Sequence, residues 1–544
     1  MHRPIRGKAI AVYPVLWFPT IGLRVAEIGS LSKATPALGG QAQGLAGLRA
    51  AWLLPSLAEV VFASVLLWLL LGAGRKALLA DGDTGWHIRT GEWVLDHRRF
   101  PTTDLYSFSR PGAEWFAWEW LSDVALALVH RSLGLAGVTL LAGILIASTA
   151  AALFGFLVWQ RSNVVIAVVV MLGANSASTV HWLARPHLFT YLLFILSLWL
   201  LEADRRRRSG RIWLLVGMAA LWTNLHGGFL VLLALVGAYL AGAVVARDWS
   251  QVRRYGCLLV ATAAATLANP YGWRLHAHIG RYLASDFIRD RVEEFQSPRF
   301  RGESMLMFEA LLVGGLLIAP RLWQSRRYAT ALVLVGLAHA ALGSVRHVLL
   351  YVLAAAPVVA AELTAILESR RDEWSRALAS LGPLGAPGRR PPWWPPLWAL
   401  GAILPCALLP AGGGPRWQVD FPKEKFPLAA LGTVEKLGLG RNIFTSDQWG
   451  DYLIYRYYPQ VRVFLDGRSD FYGAEIGGQY LDALSGKHRW EEIFRRHAFD
   501  VALLPPEWPL ATVLKRHPDW RLEYDDGQAL VLRRVAPAEL GSAN

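Results

Sequence analysis

The sequence predicts a polytopic α-helical membrane protein that carries an α/β domain outside the bilayer, and three observations predict it. The 544 residues are 54% hydrophobic and 18% charged with a mean hydropathy of +0.32, too apolar for a chain that keeps its whole surface in water. Apolar runs of roughly 20 residues, the length a bilayer core demands, recur between residues 51 and 410. From 411 to 544 such runs stop, and short β-type stretches alternate with helical patterns.

Charge and cysteines narrow the class. The formal charge of +14 comes from arginines grouped in short segments between apolar runs, the pattern of a topology signal and not of a nucleic-acid-binding surface. No nucleic-acid partner is expected. Cys257 and Cys406, both within apolar runs, are the only cysteines, so neither a disulfide framework nor a cysteine zinc site is expected.

In chain order, residues 1–50 lack the basic, apolar and small-residue succession of a cleavable signal, and Ala11 to Ile28 is an apolar stretch broken by Pro14, Pro19 and Arg24. They read as an N-terminal cytoplasmic or interfacial segment. Residues 51–410 read as the transmembrane domain, with about eleven helices. The first, Trp52 to Gly74, enters a long outer loop over residues 75–131. Leu133 to Trp159 and Val164 to Val180 follow, and the loop His181 to His187 opens a fourth helix that ends near Ala203. After the basic run Arg205 to Arg208, Ile212 to Leu225 breaks at His226-Gly-Gly228; the next helices end at Ala246 and at Asn269-Pro270. A polar loop with Asp286, Asp290, Glu293 and Glu294 precedes Met305 to Ala319, then a ninth helix ends near Ser344 and Arg346-His347 opens a tenth. An arginine- and proline-rich linker, Glu368 to Pro392, leads to the eleventh, Trp393 to Pro410.

Helix parity gives the orientation. With Arg205 to Arg208 on the cytoplasmic side, the basic segments near 161, 247–254, 321–327 and 370–390 fall on that side too. Asp81, Asp83, His87, Arg185, His187, His226, Arg346 and His347 then share the opposite face with residues 411–544. In that outer domain Val461 to Leu465, Val501 to Leu504 and Ala529 to Leu532 read as strands, and Trp490 to His497 and Leu510 to Arg516 as helices. The setting implied is a multi-pass inner membrane protein with an extracytoplasmic C-terminal domain.

The loop after the first helix holds the densest chemistry. Aspartates are costly in lipid, so Asp81 and Asp83 must lie in water, protein or a polar cavity. Trp86, Thr90, Trp93, Val94 and His97 recur at helical spacing, predicting an amphipathic helix along the membrane surface that Asp83 begins and is placed to cap. An Asp-x-Asp pair is also a candidate for a divalent cation, although two carboxylates alone leave the metal open.

Asp83 with Trp86-His87 and Gly91-Glu-Trp93 resembles the Asp-Glu motif region of protein O-mannosyltransferases and lipid A aminoarabinose transferases, with Thr84 where those families usually carry Glu. Pro101, Arg110-Pro111-Gly112 and Trp115 to Trp120 resemble the later part of the same loop. The chain is similar in this way to the GT-C superfamily of membrane glycosyltransferases, which take sugars from polyprenyl-phosphate carriers. The resemblance implies an inverting transfer to an extracytoplasmic glycan, lipid or protein acceptor, with Asp83 as first choice for the base and Asp81 as second.

Charge grows on a departing phosphate, and arginine offers it a fixed fork of donors. Arg185 and Arg346, with His187, His347 and His226, are the outer-face candidates for that phosphate; each alone reads equally as an interfacial anchor or a helix-end group. His87, Glu119, Trp449, Asp451 and Tyr452 are the acceptor candidates. Ser446 to Tyr452 resembles, in altered order, the Trp-Trp-Asp-Tyr-Gly motif of oligosaccharyltransferase catalytic subunits, which helps recognise the acceptor peptide. The conservative reading is that Ser446 caps a helix whose Trp449, Tyr452 and Leu453 pack inward. Two other functions fit the topology: a flippase for a lipid-linked glycan, marked by paired broken helices near the midplane, and a membrane scaffold that presents the outer domain.

Overall fold

A computed structural model describes residues 55–72, 74–370 and 419–535, together with positions 373, 376 and 401. Segment 1–50, nearly all of the linker and nearly all of the expected eleventh helix lie outside the described residues. Among those described, six helices are long and apolar enough to cross a membrane: Trp120–Trp159, Val164–His181, His187–Arg206, Gly227–Val245, Glu303–Gln324 and Val345–Ser369. Leu57–Leu71 and Tyr328–Gly343 are apolar but shorter.

Helix α1 (Leu57–Leu71) opens with a capping box, Ser56 and Glu59 each satisfying the other's backbone N–H. Helix α2 (Asp83–His97) lies in the first loop, and α3 (Trp120–Trp159) follows it. At 40 residues α3 would run about 60 Å, twice a bilayer core. It is broken at Gly134, whose φ of 63° suits a residue without a Cβ, so an outer stretch precedes the apolar one. The sequence pattern starts this helix at Leu133, next to the break.

The loop helix departs from expectation. Instead of standing apart as a surface helix it is sandwiched between α3 and α4 (Asp447–Tyr457) of the C-terminal region, burying Asp83 through Ile88, Thr90, Gly91 and Val94. Glycine permits both contacts: a Cβ at Gly85 would stand 2.7 Å from the Tyr455 Cβ, and one at Gly91 would collide with the Asp123 carbonyl. Nor does Asp83 cap its helix. Its backbone N–H donates to Asp81 Oδ1 at 2.9 Å, which leaves the Asp83 carboxylate for other partners.

The C-terminal region forms a four-stranded sheet in the order β1-β2-β4-β3, with β1 (Ile443–Phe444) parallel to β2 (Val501–Leu504), and β2 and β3 (Trp520–Asp525) antiparallel to β4 (Leu530–Arg534). Val461 to Leu465 is not one of these strands. Val463 instead bridges to the first outer loop, donating to the Tyr106 carbonyl at 2.9 Å and accepting from Phe108 N–H at 3.0 Å. Deeper in that joint Arg468, 1% exposed at its side chain, pairs with Asp466 at 2.6 Å and with Asp104 of the loop at 2.8 Å. Removing one partner of such a buried pair typically costs about 3–5 kcal/mol, so these charges fix where the C-terminal region docks.

The basic loops gather at the far end. Glu202 meets Arg205 at 2.6 Å and Arg327 at 3.5 Å, and Asp204 meets Arg254 at 2.7 Å. The acidic loop and the C-terminal region share the other end, as helix parity predicts.

Candidate active site

A cavity of about 2700 Å³ separates the membrane helices from the C-terminal region. Single small-molecule sites span roughly 300–1,000 Å³, so it has room for more than one substrate. Leu172, Leu230, Val231, Ala234, Leu332 and Leu337 give it an apolar wall, while the loops nearest the C-terminal region supply its polar end.

Four loops meet at that end through ion pairs. Arg185 reaches Asp81 Oδ2 at 2.9 Å, Asp83 Oδ2 at 2.6 Å and Glu294 Oε1 at 2.7 Å. Arg346 Nε donates to the other oxygen of Glu294 at 2.8 Å and its Nη1 to the Tyr282 hydroxyl at 3.0 Å. Glu294 thus joins the two arginines, which hold its carboxyl well below the usual carboxylate range against the desolvation of its site. The carboxylates that the Asp-x-Asp spacing offered to a cation close on Arg185 instead. Among the described residues no group of three or more His, Cys, Asp or Glu side chains is arranged to hold a metal ion.

Asp83 sits where the two parts of the molecule touch. Its Oδ1 and Asp451 Oδ2 are buried and receive no N–H or hydroxyl from the described residues. Both lie over Gly467, where a Cβ would collide with the first and stand 3.0 Å from the second. One proton between the two acids satisfies both oxygens. Burial holds the Asp451 carboxyl well above its ordinary range, so it keeps that proton and donates to Asp83. Burial likewise raises Asp83, and with Asp81 and Glu294 outweighs Arg185 to hold it at about 7.

The histidines line the same space. His187 Nε2 lies 2.8 Å from the His181 carbonyl, His226 Nδ1 accepts from Gly228 N–H at 2.9 Å, and His347 also faces the cavity. Glu119 lies between two imidazoles, 3.7 Å from His87 Nε2 and 3.5 Å from His226 Nε2. The acceptor candidates of the C-terminal region divide. Asp451 meets Asp83, but Trp449 and Tyr452 are core residues, 5% and 1% exposed, and neither lines the cavity. Ser446 caps α4 by accepting from Trp449 N–H at 3.0 Å, and Trp449 Nε1 donates to the Lys425 carbonyl, so the acceptor role expected of Trp449 and Tyr452 is corrected to packing.

Glu294, Asp123 and His181 were not singled out from sequence. Two arginines brought to one membrane face need a carboxylate counter-ion, and that requirement pointed to the acidic loop at 286–294. Asp123 gave no such signal, because the sequence pattern left it in the loop and the helix that holds it starts at Trp120.

No family model matches the chain, and no curated protein does. Among solved structures it is similar to the archaeal oligosaccharyltransferase AglB from Archaeoglobus fulgidus, determined in complex with an inhibitory peptide and a dolichol-phosphate. The TM-score is 0.56 at 12% identity, over 87% of this chain and 73% of that one. At that identity the likeness is one of fold: a bundle of membrane helices with a C-terminal region beyond it.

Proposed function

We propose that the chain is an inverting membrane glycosyltransferase that moves a sugar from a polyprenyl-phosphate donor to an extracytoplasmic glycan, lipid or protein acceptor at an inner membrane. The observation that carries the reading is the cluster of Asp81, Asp83, Arg185, Glu294 and Arg346, from four loops, at the polar end of a cavity with an apolar wall. The fold likeness to a protein solved with dolichol-phosphate and a peptide supports the same pair of substrate classes.

In this reading the lipid tail lies along the apolar wall and the phosphate meets the arginines. Arg185 already faces three carboxylates, whereas Arg346 faces one, so Arg346 carries more of the charge that develops on the leaving phosphate. Asp83, held near neutrality, accepts the proton of the attacking hydroxyl or amine; a base works best when its pKa lies near the working pH. The bond from C1 to the phosphate oxygen breaks with its electron pair as the bond from C1 to the acceptor forms on the opposite face.

The test is sugar transfer by purified protein in nanodiscs, from a radiolabelled polyprenyl-phosphate sugar to an envelope extract. Transfer with release of lipid phosphate is expected, and Arg346→Ala should lower it by about 10²–10³-fold, as loss of one oxyanion donor does. Sugar crossing vesicle membranes without transfer would replace this reading with a flippase.

A further inference from the structure

Apart from the arginine cluster, a second run of titratable groups ends in the cavity. Asp123 Oδ1 lies 2.6 Å from His87 Nδ1, and these side chains are 1% and 2% exposed. In the tautomer whose Nδ1–H donates to the Asp123 carboxylate, the neutral ring presents the lone pair of Nε2 toward Glu119 Oε2 at 3.7 Å. On the other oxygen the polarity is reversed. His226 Nδ1 accepts from the Gly228 backbone, so its neutral ring carries the proton on Nε2, which faces Glu119 Oε1 at 3.5 Å.

With His87 in that tautomer Glu119 meets an acceptor on one oxygen and a donor on the other, and it also takes a backbone N–H from Gly227, whose pull toward the charged form is outweighed by burial. A protonated carboxyl satisfies both, whereas a carboxylate would set its charge against the lone pair of His87. Burial holds Glu119 up at about 8 and His87 well below its ordinary value, in keeping with this assignment. The charges facing Glu119 from neighbouring elements are Arg185 and Arg346, which bring it to the phosphate side of the cavity, with Asp470 of the C-terminal region beyond.

We propose that Glu119 is the general acid for the departing phosphate, with His87, Asp123 and His226 as positioning residues that keep its proton in place. This rests on the transferase reading above. As the bond from C1 to the phosphate oxygen breaks, the electron pair stays on that oxygen, and the phosphate takes the Glu119 proton. The acceptor's proton goes to Asp83, and the new Glu119 carboxylate accepts from His226 Nε2 until water returns a proton. At 3.7 Å, His87 Nε2 lies beyond hydrogen-bond distance of Glu119, so its lone pair favours the protonated carboxyl electrostatically without trapping the proton. The two raised carboxyls then have opposite tasks, Asp83 receiving a proton and Glu119 giving one.

Two readouts test this on the intact protein in nanodiscs: pH–rate profiles of transfer, and the infrared stretch of protonated carboxyls at neutral pH. Wild type should lose activity as pH rises through about 8. Glu119→Gln should lower kcat by about 10²–10⁴-fold with little change in donor KM, remove that falling limb, and delete one protonated-carboxyl band. His87→Asn removes the acceptor that favours the protonated form, so the limb should move to lower pH, which loss of a merely structural contact would not cause. An active wild type whose rate and falling limb survive Glu119→Gln would overturn the inference. So would a neutral-pH spectrum unchanged by that substitution. If the band is lost but wild type transfers no sugar, the transferase reading fails, and with it the acid role, while the protonated carboxyl stands.

Discussion

Asp83 answers to three neighbours: Arg185 at 2.6 Å, Asp81 through the backbone, and Asp451 across the joint with the C-terminal region. If it takes the acceptor's proton, the rate should rise with pH through about 7. Asp451 donates to its carboxylate and so favours the charged form. Asp451→Ala removes that donor and should move the rising limb to higher pH, whereas Asp451→Asn keeps an N–H donor and should leave it close to wild type; pH–rate profiles of the two variants check the sign. The sequence made Asp81, Asp83, Arg185 and Arg346 legible because charges at the ends of apolar runs are costly unless they are used. It could not show the Asp451 contact, since those residues lie 368 positions apart and nothing in the chain pattern pairs them. Trp449 and Tyr452 misled because an aromatic beside an acid looks alike in a site and in a core.

At the scale of elements, α2 is the part on which the site depends, held between α3 and α4 by close backbone approach. Helix propensity favours Ala over Gly by about 1 kcal/mol, yet a Cβ at Gly91 collides with the backbone of α3, and overpacking of this kind costs about 1–3 kcal/mol. Gly91→Ala should therefore lower the melting temperature in detergent and, by moving His87 off Asp123, lower transfer as well. Helical spacing revealed α2 and its start at Asp83. Its amphipathic pattern suggested a water-exposed face because the sequence does not show that a second helix, arriving more than 350 residues later, covers it. Val461 to Leu465 failed as a sheet strand for a related reason: its pattern called for an extended partner, and the partner is the first outer loop, joined at Val463.

On the scale of the whole molecule, the apolar runs and basic loops made the membrane architecture and its two ends legible, and the residues that meet in the cavity come from the end that parity had set apart. Which end faces the cytoplasm can be measured. In a background with Cys257→Ser and Cys406→Ser, a cysteine at Glu507 should react with an impermeant maleimide from the extracytoplasmic side of intact cells, while one at Ser325 should react only after lysis; the reverse pattern would invert the proposed topology. The polar cluster lies between the membrane helices and the C-terminal region, with the Arg346 and Glu294 side chains still 30% and 35% exposed. The most direct test of that reaction is sugar transfer from a polyprenyl-phosphate donor by purified wild type and by Asp83→Asn, which keeps the shape of the side chain but removes its charge. The account predicts transfer by wild type and a loss of about 10²–10⁴-fold in the variant. Equal transfer by both proteins would contradict it.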